Sequence, residues 1–272
     1  MIKQAWTTIL NGRKKFAHID GAQRAAAFAY YTFFSLFPLI ILFTAIISTF
    51  IDRTTARRIV LGYIASLLPV TTDVRHEIFK PISDFMKVHA QAGIAATIVV
   101  IWSSLNFVKI LTHTASRAWN EKTYDWLELP VKSLGMLGVM ILIALMGMTI
   151  PAVSRLVSAA FFNAHTLLFT IYKIASTLIP FFAMFFALSF FYKIAPRRKM
   201  KYSEVSLPAL FITMLLSLCQ TIFLSYLNSL TGFTVAYGVV GGIMTLMLWI
   251  YISGYILIFG LCMCAVKGDV PI

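Results

Sequence analysis

Negative charge is scarce in this chain: 10 Asp and Glu stand against 23 Lys and Arg over 272 residues. The acids are scattered, and the histidines, His18, His76, His89, His113 and His165, lie far apart. No His-x-His-x-Asp run or paired-carboxylate motif occurs, so the ligand set of a metal-dependent nuclease is not legible. Cysteine is equally sparse. Cys219, Cys262 and Cys264 all sit in apolar runs, which excludes a disulfide framework, and Cys262-x-Cys264 lacks the partner ligands of a zinc site. They read as packing residues. No ATP-binding motif occurs, and the basic N-terminus has no short apolar core followed by a small-residue cleavage motif. The sequence therefore predicts no metal, no other cofactor, no removable leader and no enzyme.

What the chain has is apolar length. It is 60% hydrophobic and 12% charged, against about 45–50% and 25% for a soluble domain. The stretch from Ala25 to Phe50 carries no charge and is fenced by Arg24 and Asp52. At ~1.5 Å rise per residue a helix of that length crosses a ~30 Å hydrocarbon core with some tilt. Further runs at 93–111, 134–153, 167–192, 205–230 and 236–266 complete an all-α, polytopic membrane helix bundle of about six spans, read as a single integral-membrane domain over 1–272. Between the first two spans, 51–92 reads as an extracytoplasmic cap of amphipathic helices: Ile59–Leu68 is too short to cross, and 74–89 sets Ile78, Ile82, Phe85 and Met86 on one side.

The net charge of +13 flanks the spans instead of forming one soluble face, which argues against a nucleic-acid partner. Met1–Arg24, Thr112–Lys132 and Lys193–Glu204 hold five, three and five Lys and Arg, whereas Ser154–Thr166 holds one and Thr231–Val235 none. That alternation predicts cytoplasmic N- and C-termini. In Met1–Arg24, Trp6, Ile9, Leu10 and Phe16 interleave with the charges as in a helix lying on the interface. The partners implied are membrane lipids and an unknown small solute, with a homo-oligomer left open.

Several short runs carry a resemblance: Ala29-Tyr30-Tyr31-Thr32 with Ser35-Leu36-Phe37-Pro38, Ala118-Trp119-Asn120, Tyr192-Lys193-Ile194-Ala195-Pro196, and Tyr237-Gly238 with Leu248-Trp249-Ile250-Tyr251. On these the chain resembles the YihY/virulence factor BrkB family of bacterial inner-membrane proteins, historically labelled ribonuclease BN. The resemblance covers nearly all of the chain and implies a bacterial inner-membrane address. One departure is visible: where the family often carries Gly-Ala-Glu, this chain reads Gly260-Leu261-Cys262, so no role of that carboxylate transfers.

Polar groups inside a bilayer are costly, and each asks for a reason. Tyr31, Ser35 and Pro38 fall at i, i+4 and i+7, a face expected to look inward. Asn106 and Gln220 lie too deep to reach the interface, Lys109 lies near a span end, and Tyr237, Gly241 and Gly242 open the last span. One reading makes these the lining and hinges of a permease or exporter for a small or amphipathic solute. The plainer reading makes Asn106 and Gln220 interhelical glue, Lys109 a snorkelling cation and the glycines close-packing positions. An envelope-integrity scaffold binding lipid or partner proteins is the alternative class, and a membrane-associated ribonuclease ranks last.

Overall fold

The computed structural model describes residues 2–52, 54–56, 58, 59, 62, 109, 112–120, 166–196, 200–229 and 231–268. Among the described residues the chain is helical and without strands. The helices are α1 (Ile2–His18), α2 (Gly21–Ile47), α3 (Thr166–Ile194), α4 (Tyr202–Ser229) and α5 (Thr231–Lys267), with a short helical segment over 112–118. Four of the expected spans, 25–50, 167–192, 205–230 and 236–266, fall on α2, α3, α4 and α5. The span at 134–153, the span at 93–111 apart from Lys109, and the cap beyond its first residues lie outside the described residues.

Helix boundaries follow local chemistry. α1 ends on Asp20, whose φ of 54° is left-handed, and Asn120 ends the 112–118 segment with the same φ. Asp and Asn are the side-chain-bearing residues that tolerate this region best. In both corners the preceding amides close onto the last turn, Ile19 N to Lys15 O at 3.1 Å and Trp119 N to Ala115 O at 3.0 Å. After α2, the Asp52 carboxylate accepts from the backbone N–H groups of Thr54 at 3.1 Å and Thr55 at 3.3 Å, and from the Thr54 hydroxyl. That is an N-cap, and it opens the helical turn Thr54–Ala56 where the cap begins.

α5 is the helix the others pack around: α1, α2 and α4 all lie against it, and α3 packs on α4. Its buried positions Leu246, Ile250, Gly254, Ile258, Leu261 and Ala265 recur at helical spacing, and from Ile258 to Ala265 nearly every side chain is enclosed. Close approach uses glycine. A Cβ on Gly254 would strike the Phe28 ring of α2, and one on Gly12 of α1 would lie 2.9 Å from Met263 Cγ. Between lipid-solvated helices, packing replaces the hydrophobic drive, so such approaches carry much of the cohesion.

α1 is docked deeper than an interfacial helix would be. Gly12, Lys15, Phe16 and Ile19 are buried, while Trp6 and Leu10 stay exposed beside Arg13 and Lys14. One face thus joins the bundle, and the other keeps the expected interfacial composition. The outer faces of the long helices are apolar as well. Leu178, Phe182, Phe186 and Phe190 on α3, Leu210, Met214, Leu218 and Ile222 on α4, and Val240, Met244 and Leu248 on α5 form exposed stripes with a four-residue step. Water-facing helices place charge there.

Candidate functional site

Of the residues expected to line a path, Ser35 is fully buried and its hydroxyl donates to Thr32 O at 2.9 Å. Tyr31 does not share that environment. It is 40% exposed and belongs to an aromatic patch with Tyr30, at 5.5 Å between ring centroids, and through Tyr30 with Phe34, at 4.7 Å. The cause is geometric: a four-residue step advances about 40° around a helix, enough to carry a side chain past the edge of a buried stripe. α2 continues as helix through Pro38, and α5 includes Tyr237, but both side chains, like the whole of Asn106, lie outside the described residues. Lys109 is exposed, Gln220 half-buried, and Gly241 and Gly242 buried.

Gln220 and Gly241 lie at different depths. Ring contact between Phe223 and Trp249, at 5.1 Å, fixes the level of α4 against α5 near Gln220. Gly241 lies about 12 Å further along α5 by helical rise.

The densest chemistry is instead at the end of the bundle where α1, the start of α2, the 112–120 segment, the end of α3, the start of α4 and the end of α5 meet. Lys267 Nζ donates to Ser203 O at 2.7 Å, tying the last turn of α5 to the first turn of α4. The fully buried Tyr192 donates its phenol to Leu257 O at 3.2 Å, and a Cβ on Gly260 would collide with that hydroxyl. Arg24 donates Nε to Ile19 O at 2.6 Å, holding its guanidinium over the α1–α2 corner. Burial lowers the Arg24 pKa first and the neighbouring Arg117 second, with Asp20 and Cys262 acting the other way. Burial likewise holds His113 below the usual imidazole range, reinforced by the charges of Lys109 and Arg24. Lys15 is lowered by burial, opposed by Cys262.

Among the described residues, four buried side-chain atoms have no hydrogen-bond partner: Thr32 Oγ1, Ser116 Oγ, Trp119 Nε1 and Ser189 Oγ. Buried polar groups are almost always satisfied, so each of the four calls for a partner that the described residues do not supply. Also among the described residues, no three His, Cys, Asp or Glu side chains come together to hold a metal ion. Sequence reasoning missed the basic corner because its members come from positions 15 to 117. The available signal was the Ala118-Trp119-Asn120 run, whose Ala118 and Trp119 are core residues and whose Asn120 stops the helix.

Long helices with exposed apolar stripes, two of them carrying apolar stretches at Tyr202–Phe223 and Val240–Lys267 long enough to cross a bilayer, define a helical membrane protein. The particular family follows from comparison: the chain belongs to the family described as virulence factor BrkB, which matches residues 13–267. It is similar to a putative ribonuclease-like protein YfkH of Bacillus subtilis, 24% identical with 89% of this chain and 88% of that protein covered. A UPF0761 membrane protein of Vibrio campbellii is 24% identical over 94% of this chain and 80% of its own length. A further UPF0761 membrane protein, of Alteromonas mediterranea, is 23% identical over 87% and 79%. No solved structure matches the chain.

Proposed function

We propose that this protein is a six-span permease or exporter of a small or amphipathic solute in the bacterial inner membrane, with both termini cytoplasmic. The observation that carries the reading is the pair of hydroxyls Thr32 Oγ1 on α2 and Ser189 Oγ on α3, buried in separate helices and without a hydrogen-bond partner among the described residues. In a dry bundle each would cost about 1–3 kcal/mol. Water reaching each of them inside the bundle would satisfy both, and a wet interior is what a permeation path requires. The cytoplasmic assignment rests on the basic segments meeting at one end, as the charge rule asks of loops on one side. The ribonuclease-like name of the Bacillus relative would bring a nuclease reading, and no clustered ligand set among the described residues supports it.

The test is water access. In a chain whose Cys219, Cys262 and Cys264 are replaced by Ser, Thr32→Cys and Ser189→Cys are exposed to a charged, membrane-impermeant thiol reagent. Labelling of both supports the path. Protection of both in folded protein removes the permease reading and leaves the scaffold that binds lipid or partner proteins.

A further inference from the structure

We propose that the basic corner between α1, α2 and the 112–120 segment is a binding site for a phosphate-bearing anion, with Arg24, His113 and Arg117 as its ligands. The site stands apart from the permeation reading and holds for a transporter or a scaffold.

The first argument is charge. Lys15 and Arg24 lie within electrostatic reach of Cys262, Arg24 of Arg117, and His113 of Lys109 and Arg24. Lys15, Arg24, Lys109 and Arg117 are therefore four cations in one corner around the half-buried His113, and Asp20 is the acid acting on Arg24 there. Holding like charges together in a partly buried site is unfavourable, and an anion reverses the sign of that interaction. The guanidinium of Arg24, fixed through Nε, keeps its other N–H donors on a planar fork suited to phosphate.

The second argument is the donor set of the segment itself. His113, Ser116, Arg117 and Asn120 fall at i, i+3, i+4 and i+7, one face of a helix. His113 is half-buried and Arg117 exposed, so the face is open at Arg117 and closes inward at Ser116, whose hydroxyl is fully buried. Ser116 Oγ and the indole Nε1 of Trp119, 4% exposed, are two of the buried atoms without a partner among the described residues. Of the two, Ser116 lies at the inner edge of the face that carries His113 and Arg117, whereas Trp119 points into the core. An unspent hydroxyl on a face of cationic and imidazole donors matches phosphate oxygens, which each accept several hydrogen bonds.

The third argument is depth. The corner lies beside α1, whose exposed Trp6 and Leu10 sit among Arg13 and Lys14. That composition settles at the headgroup level, where phosphate is the principal anion.

Purified full-length protein in uncharged detergent is titrated with phosphatidylglycerol, with diacylglycerol of the same chains, and with inorganic phosphate and glycerol phosphate, and the thermal midpoint is read. Phosphatidylglycerol is expected to raise it and diacylglycerol not, with Arg117→Gln losing at least two thirds of the shift, Arg117→Lys retaining most of it, and added NaCl weakening it. A rise with the soluble phosphates too assigns the site to a free anion; a rise with the lipid alone assigns it to a headgroup. Should Arg24→Gln not fold, the exposed Arg117 decides. Equal shifts in Arg117→Gln and the parent, or no shift with any phosphate probe, overturn the proposal.

Discussion

The phenol of Tyr192 reaches from the end of α3 to the carbonyl of Leu257 in α5, and Gly260 lies directly beneath the hydroxyl. Replacing the phenol by Phe removes one hydrogen bond, worth about 1 kcal/mol. Gly260→Ala forces a methyl against the hydroxyl and against Ile212 Cγ1 at 2.7 Å, an overpacking cost of about 1–3 kcal/mol. The two are not independent, because the hydroxyl that Phe lacks is one of the atoms the new methyl strikes. The double variant is expected to lose less thermal stability than the sum of the single losses. Additive losses would show that the Tyr192 hydroxyl does not constrain position 260.

A similar interlock joins α2 to α5, where a Cβ on Gly254 meets the Phe28 ring, with Cε1 at 3.1 Å and Cγ at 3.2 Å. Gly254→Ala is expected to lower the unfolding midpoint in detergent. Phe28→Leu, smaller at that spot, should restore part of the loss in the Gly254→Ala background while being destabilising by itself. Failure of the second substitution to compensate would place the clash elsewhere.

The sequence made the helices legible because their cause is local. Apolar length set α2 through α5, while the basic ends predicted cytoplasmic termini and not that their side chains would share one corner. The corners were half legible: Asn120 belonged to a recognised run, but its left-handed backbone is visible only in the structure. The Tyr192 and Gly260 pairing was not legible. Its partners are far apart in the chain, and neither a tyrosine near a basic loop nor a glycine in an apolar helix names its neighbour. Tyr31 shows the limit of face arithmetic. Spacing put it with Ser35, and the edge of the buried stripe fell between them. α1 hid its docking face because Gly12 and Lys15 do not look like core, yet both are buried against the bundle.

His113 carries a pH dependence with a definite sign. Its pKa in the folded protein is below the ordinary value, through burial first and then Lys109 and Arg24. Above the unfolded-state pKa of about 6.5 neither state holds the proton, and His113 costs nothing. As pH falls below that value the unfolded chain binds a proton that the folded chain resists, so stability declines until the folded pKa is reached. The thermal midpoint should therefore drop between pH 7 and 5, and His113→Asn should flatten that part of the profile. An unchanged slope in the variant would assign the acid sensitivity to other groups.

The outer and inner faces of α4 can be told apart by how their substitutions fail. Met214 is 59% exposed near the middle of the helix, whereas Ile212, two residues earlier, is fully buried against Gly260. If the exposed stripe faces lipid, Met214→Arg places a charge in hydrocarbon at a cost of about 2.5–3.5 kcal/mol on an insertion scale. It should reduce the amount of chain integrated into membranes. Ile212→Ala changes no charge and leaves insertion intact, but it opens a gap between α3, α4 and α5 worth on the order of 2 kcal/mol of packing. It should lower the thermal midpoint of protein that has inserted normally. Fractionation of membranes followed by thermal unfolding in detergent separates the two. Normal integration of Met214→Arg would mean that this stripe faces water or another protein surface, and the lipid-facing assignment of α4 would fail with it.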